Sequence, residues 1–287
     1  MLRTTMSMSS SDLPLGTLVA LGGGDDDALL ALLSDMLPTP DAPLEIITVA
    51  SPNASRTASA YEKAFRDLGC RAARHLTINE HYRADAPATL RRLRRASLVF
   101  FSGGDQERIT EFLHRTEFLT ILRERYQQDA SFIVAGTSAG AAALPDLMLV
   151  SGYGWRALRK GGIQTQTGLG LLPRVLIDQH FVERGRFGRL AHALLTHSRC
   201  VGLGLSEETG VIIRSGQEAE VFGDGIVMVV DGHDLTGSNL GRIGRGEPVS
   251  GQNLRVHLLV AGQRLNLSTR EVLPAEEHEP TEEEEAR

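Results

Sequence analysis

The sequence predicts an α/β fold, a three-layer sandwich with a mostly parallel central sheet, and three observations carry that reading. Through the first two thirds of the chain, short apolar runs each lead into a turn and then into a segment of helical spacing. Such alternation builds parallel strands covered by helices on both faces. Several of the turns are glycine-rich, as strand-to-helix turns at a ligand-binding sheet edge are. Beyond Cys200 the texture changes to short strands separated by glycines, which adds β-hairpins to the sheet.

Each element follows in order. TLVALGGGDDDALLALLSDML (17–37) reads as strand, glycine turn and helix, with Asp25 or Asp26 as the helix cap. EIITVAS (45–51) is a second strand, and TASAYEKAFRDLG (57–69) a helix closed by Gly69. ASLVFFSGGDQ (96–106) is strand and turn, followed by one helix running to about Tyr126. SFIVAGTSAG (131–140) repeats the pattern, as do VLIDQHF (175–181) and the helical RFGRLAHALLTH (186–197). VGLGLS, GVIIR, AEVFG, GIVMVVDG and RVHLLVAGQRLNL supply the late strands. LRKGGIQTQTGLGL (158–171) has no clear role. Domain boundaries fall at the ends: a loose lead over 1–14, one catalytic unit over 15–274, and a solvated acidic tail over 275–287.

The 287 residues, 41% hydrophobic and 23% charged, suffice for a substantial core. The net charge of −6 sits in the tail, whose seven glutamates and one arginine leave the rest of the chain with 29 basic and 29 acidic residues. A neutral body gives no electrostatic footprint for nucleic acid. No apolar run approaches the roughly 18 residues of a membrane span, and the N-terminus lacks the apolar stretch of a secretory leader. Cys70 and Cys200 have neither disulfide-scaffold nor zinc-site spacing, which suits a cytoplasm. No metal or cofactor is expected: there is no HExxH and no ligand-spaced cluster.

GGGDDD (22–27) fails the dinucleotide fingerprint, because Asp27 stands where its third glycine belongs. It reads as a tight turn, or as a wall of an active site. GTSAG (136–140) matches G-x-S-x-G, a sharp strand-to-helix turn that exposes a serine hydroxyl. Ser138 is then a nucleophile, and the Ala139 N–H one donor to a developing oxyanion. Gly103 and Gly104 of SGGDQ lie at the same predicted sheet edge and would supply the other donor, while Gln106 would hydrogen-bond substrate. Of nine histidines, His180 is the one that ends a strand at that edge and can serve as base. Its segment also carries Asp178, Gln179, Arg184, Arg186 and Arg189. Such a cationic cluster suits a carboxylate clamp. Glu207 or Glu208, in SEETG after another strand, would orient the imidazole. The order Ser, His, Glu differs from that of α/β-hydrolases.

Together FFSGGDQ, GTSAGA, IDQHFVERGRFGRL and GLGLSEETG resemble the cyanophycinases. These are serine peptidases related to the aspartyl dipeptidases and built on a class I glutamine amidotransferase-like scaffold. The likeness runs from about Gly16 to Arg270. It implies Ser138 as nucleophile, His180 as base and Glu207 as orienting carboxylate. It implies a β-aspartyl pocket made of Gln106, Asp178, Gln179, Arg184, Arg186 and Arg189. The implied substrate is cyanophycin, polyaspartate with arginine on each side-chain carboxylate, cleaved to β-Asp-Arg dipeptides; the implied assembly is a homodimer. Among those residues Asp178, or the GGGDDD turn, would accompany the substrate's arginine. Two other functions fit some features: a dipeptidase for short aspartyl or isoaspartyl peptides, and a non-catalytic amidotransferase-like binding module.

Overall fold

A computed structural model of the chain describes residues 13–25 and 27–273. The expected loose lead, apart from its last two residues, and the acidic tail lie outside these, as does Asp26.

The first half is built from β1 (Thr17–Leu21), α1 (Asp27–Asp35), β2 (Leu44–Ile47), α2 (Ala54–Asp67), β3 (Ala73–His75), α3 (Pro87–Arg95), β4 (Leu98–Phe101), α4 (Gln106–Leu113), α5 (Glu117–Gln128), β5 (Ile133–Thr137) and α6 (Ala139–Ala143). After these come β6 (Leu147–Ser151), β7 (Gln164–Thr167), β8 (Val175–Asp178), α7 (Phe187–Thr196) and β9 (Val201–Leu205). The chain continues through β10 (Thr209–Arg214), β11 (Glu218–Gly223), β12 (Val227–Asp231), β13 (Arg255–Leu259), β14 (Arg264–Asn266) and β15 (Val272–Leu273).

A nine-stranded sheet in the order β15-β14-β11-β10-β1-β5-β4-β2-β3 forms the middle layer. From β1 to β3 its neighbours run parallel; β10, β11, β14 and β15 extend it as antiparallel hairpins. Period-2 alternation divides each parallel strand between two cores. Leu98 and Phe100 of β4 join the core beneath α1 and α2, with Leu30, Leu33 and Phe65. Val99 and Phe101 join the opposite core, with Leu93, Ile109 and Leu122 from α3, α4 and α5. All these side chains are at most 2% exposed, and each contributes about 1.5–3 kcal/mol by burial.

Two expectations are corrected. The helix after SGGDQ is two helices, because Arg115 adopts a left-handed φ of 61°. Thr116 then caps α5, its hydroxyl accepting from the Leu119 N–H at 3.2 Å. Furthermore, β8 is not a strand of the central sheet. Both edges of β1 are filled, by β5 and β10, so β8 pairs in parallel with β9 in a separate four-stranded sheet, β13-β12-β9-β8. One face of that sheet joins the main core through Val175, Ile177 and Leu203. The other carries α7 through Leu176, Val230, Leu190 and Leu194. The segment without a predicted role contains β7, which pairs with β6 in a two-stranded ribbon.

Candidate active site

Ser138 stands between β5 and α6 with φ 51° and ψ −113°, a conformation costly for a residue with a side chain. The flanking glycines are obligatory for steric reasons. A Cβ on Gly136 would lie 2.5 Å from the Gly140 carbonyl carbon, and one on Gly140 would lie 2.2 Å from the Phe101 oxygen. α6 thus crosses β4 and β5 at backbone contact. The Ser138 N–H donates to the Leu21 carbonyl at 3.0 Å, tying the turn to β1.

His180 follows β8 with φ 46°, and its N–H donates to the Gly22 carbonyl at 3.0 Å. Its Nε2 lies 2.8 Å from Ser138 Oγ, and its Nδ1 lies 2.5 Å from Glu207 Oε1. The carboxylate selects the tautomer with hydrogen on Nδ1, which leaves Nε2 to accept the serine proton. Of the two glutamates after β9, Glu207 makes this contact. Glu208 is exposed and is tied down by its backbone, its N–H donating to the Gly23 carbonyl at 2.8 Å and its carbonyl accepting from the Asp224 N–H at 3.2 Å. Burial pushes the His180 pKa below the usual histidine value; the Glu207 hydrogen bond opposes this, and the Arg184 and Arg186 charges add to it. The imidazole is therefore neutral, in its basic form, at neutral pH.

The Gly22–Gly24 turn packs against this chain of residues throughout. A Cβ on Gly22 would lie 1.8 Å from the Ser206 oxygen, one on Gly23 2.5 Å from His180 Cε1, and one on Gly24 2.8 Å from Glu207 Cβ. Of GGGDDD, the three glycines pack against this chain of residues, whereas Asp25 and Asp27 are exposed.

Ala139 follows the serine directly, and two further amides belong to the Gly103–Gly104 turn. Gly103 sits so close that a Cβ there would be 3.8 Å from Ser138 Oγ. The N–H groups of Gly103 and Gly104 have no acceptor among the described residues, and that of Ala139 opens α6, where no intrahelical acceptor exists. Beside them lies a cleft of about 300 Å³ lined by Ser138, Gln106, Tyr153, Gln179, Arg184 and Arg186, among others. Gln106 donates from Nε2 to the Leu149 carbonyl at 3.1 Å, while the buried Gln179 Oε1 has no partner among the described residues.

The arginine clamp needs correction. Asp178 is 0% exposed and is held bidentately by Arg189, from Nε at 2.7 Å and from Nη2. Arg186 adds Nη1, 3.3 Å from Asp178 Oδ1 and 2.5 Å from the Gln179 carbonyl. A carboxylate fully buried between two guanidinium groups cannot also receive a substrate arginine. Asp178 and Arg189 brace the cleft wall. Arg186 is half-committed, its buried Nε unpaired among the described residues; burial pushes its guanidinium down to about 10, still cationic at neutral pH. Arg184 is exposed and has no side-chain partner among the described residues. Tyr153 and Val150 of the cleft were not legible in the sequence, since nothing there places β6 and its following loop beside Ser138.

Residues 18–221 match peptidase family S51. The chain is 35% identical over 261 residues to the cyanophycinase of Synechococcus elongatus, covering 90% of this chain and 81% of that one. It is 35% identical over 232 residues to the cyanophycinase of a Nostoc species, covering 81% and 78% respectively. A crystal structure of a peptidase from an acI-B1 actinobacterium shares the fold, with a TM-score of 0.64 at 21% identity over 89% of this chain and 98% of that one. No helix among the described residues is long and apolar enough to cross a membrane. With its sequence matched over this length, the chain belongs to peptidase family S51, as a serine-type peptidase of the cyanophycinase kind.

Proposed function

We propose that this peptidase hydrolyses cyanophycin to β-Asp-Arg dipeptides through an acyl-enzyme. Ser138 Oγ attacks the peptide carbonyl as His180 Nε2 takes the hydroxyl proton. Glu207 holds the Nδ1–H and stabilises the imidazolium. The N–H groups of Ala139 and of Gly103 or Gly104 receive the oxyanion. The imidazolium returns its proton to the leaving amine; a water, deprotonated by the same imidazole, then releases the acyl group and restores the serine. Arg184, with Arg186, Gln106 and Gln179, receives the carboxylate of the β-aspartyl unit. The enzyme works as a homodimer, as the resemblance implies, and in the cytoplasm, as its cysteine usage suggests.

One observation carries the reading: the hydroxyl–imidazole–carboxylate chain, at 2.8 and 2.5 Å, opens onto a cleft whose exposed guanidinium, Arg184, is unpaired among the described residues. Incubation with cyanophycin followed by mass analysis tests it. Release of β-Asp-Arg by the wild type, abolished in a folded Ser138→Ala variant, is expected. Undiminished release by that variant would overturn the assignment. Cleavage confined to Asp-X or β-Asp-X dipeptides would replace it with the dipeptidase reading, and light scattering tests the dimer.

A further inference from the structure

The loop after β6 carries the chain's single tryptophan, and its exposure is at odds with its anchoring. Gly152 lays the loop against the cleft wall: a Cβ there would be 3.2 Å from Arg189 Cβ. The short 3₁₀ turn Gly154–Leu158 follows. It is pinned from beneath by the buried His192, whose Nδ1–H donates to the Ala157 carbonyl at 2.6 Å. The Val249 N–H donates to the Leu158 carbonyl at 2.9 Å, and Lys160 Nζ reaches the carbonyls of Leu240 and Ile243 at 2.8 and 2.7 Å. Yet Tyr153 is 71% exposed and Trp155 64%. The guanidinium groups of Arg159 and Arg156 lie 4.8 and 5.6 Å from the Trp155 ring centroid. Arg156 has no side-chain acceptor among the described residues. The loop is thus fixed in place while its two large aromatic side chains face water.

That surface is continuous with the catalytic cleft, because Tyr153 lines the cleft alongside Ser138 and Arg184. We infer that the Tyr153–Arg159 turn is an accessory subsite that binds cyanophycin repeats beyond the unit being cleaved; the inference rests on the function proposed above. The chemistry of the repeat selects the occupant. The α-amine of each arginine is consumed in the link to aspartate, so every repeat presents a guanidinium and a free α-carboxylate side by side. The faces of Tyr153 and Trp155 attract the guanidinium by stacking, while Arg156 offers a fork to the carboxylate; Arg159 is held in place, its Nη1 donating to the Gly246 carbonyl at 2.6 Å. The paired cation-plus-aromatic surface thus matches a zwitterionic side chain, where a purely cationic one would match only its acid. A substrate of three repeats, whose backbone spans about 10 Å, fills the cleft and gains little from the platform; the polymer gains more with each added contact.

Trp155→Ala and Arg156→Ala test this, with Trp155→Phe as the conservative control. Both side chains are outward-facing, and melting curves verify the fold. Hydrolysis is measured on full-length cyanophycin and on a soluble three-repeat fragment. Binding is read separately by co-sedimentation of the inert Ser138→Ala protein, with and without Trp155→Ala, on insoluble polymer. The subsite requires kcat/KM on polymer to fall at least tenfold in Trp155→Ala, mostly through KM. It also requires the fragment to stay within twofold, Trp155→Phe to restore polymer turnover, and the doubly substituted protein to leave the pellet. Equal losses on both substrates, or none on either, would overturn it. So would a change of oligomeric state with unaltered polymer kinetics, which would mark this face as a contact between copies. Wild-type protein that cleaves the fragment but not the polymer overturns the subsite alone. Protein that cleaves neither overturns the proposed function, and the subsite with it.

Discussion

Gly23→Ala isolates the contribution of a residue with no functional group. The new methyl would sit 2.5 Å from His180 Cε1, 2.8 Å from Nε2 and 3.2 Å from Ser138 Cβ. Carbon atoms settle at about 3.5–4.0 Å, so the contact must open by about 1 Å. The turn itself is bound by backbone: Gly22 to the His180 N–H and Gly23 to the Glu208 N–H. The imidazole ring is the part that moves, and its 2.8 Å bond to Ser138 is the one that lengthens. Misplacing a reacting group by 1 Å costs on the order of 100-fold. The φ of 93° at Gly23 adds roughly 1–2 kcal/mol of backbone strain for alanine, a fall in melting temperature of roughly 2–8 °C. The expected result is a kcat about 100-fold lower on a cyanophycin fragment, with KM nearly unchanged because Arg184 and Gln106 are untouched. Kinetics at matched temperatures, with a thermal melt, measure both. A well-folded Gly23→Ala enzyme with wild-type kcat would refute the idea that this turn fixes the imidazole.

Glu207→Gln should lower kcat by about 10³–10⁴-fold through loss of the productive tautomer, whereas Glu208→Gln should stay within roughly twofold; parallel assays of the two decide which carboxylate acts. Because the His180 pKa is depressed, the neutral base persists as pH falls past the ordinary histidine value, and kcat/KM should drop only below about 6.5. Arg184→Gln removes one of the charges that depress it, so the acid limb of that profile should move to higher pH, whatever its effect on KM. Asp178→Asn leaves two buried guanidinium groups without their counter-charge, and should cost about 3–5 kcal/mol, seen as a melting temperature lower by roughly 10 °C or more.

The alternation of apolar runs and glycine turns made the parallel sheet legible, because strands buried on both faces read as continuous apolar stretches. It did not reveal which sheet a given strand joins. VLID has the same appearance whether it extends β1 or founds a second layer, and only the pairing of β10 with β1 decides that. Ser138 and His180 could be singled out because a turn that exposes a hydroxyl, or a histidine that ends a strand, has a local signature; Glu207 and Glu208 stay alternatives in the sequence, and only the 2.5 Å contact with His180 Nδ1 separates them. Arg184, Arg186 and Arg189 lie within six residues and look alike in sequence, yet they divide into an exposed, unpaired group, a half-used one and a buried brace. That division depends on the depth of Asp178, which no local pattern encodes. The platform around Trp155 was illegible for the same reason: its support comes from His192 and from carbonyls some eighty residues further on.

The hydroxyl and the imidazole ride on different sheets and meet across the turn between Gly22 and Gly24. No fragment of the chain that stops short of residue 207 can assemble the complete reacting group, even if its first sheet forms. On the function proposed above, a nascent chain cannot orient His180 through Glu207 until residue 207 has been made and has docked.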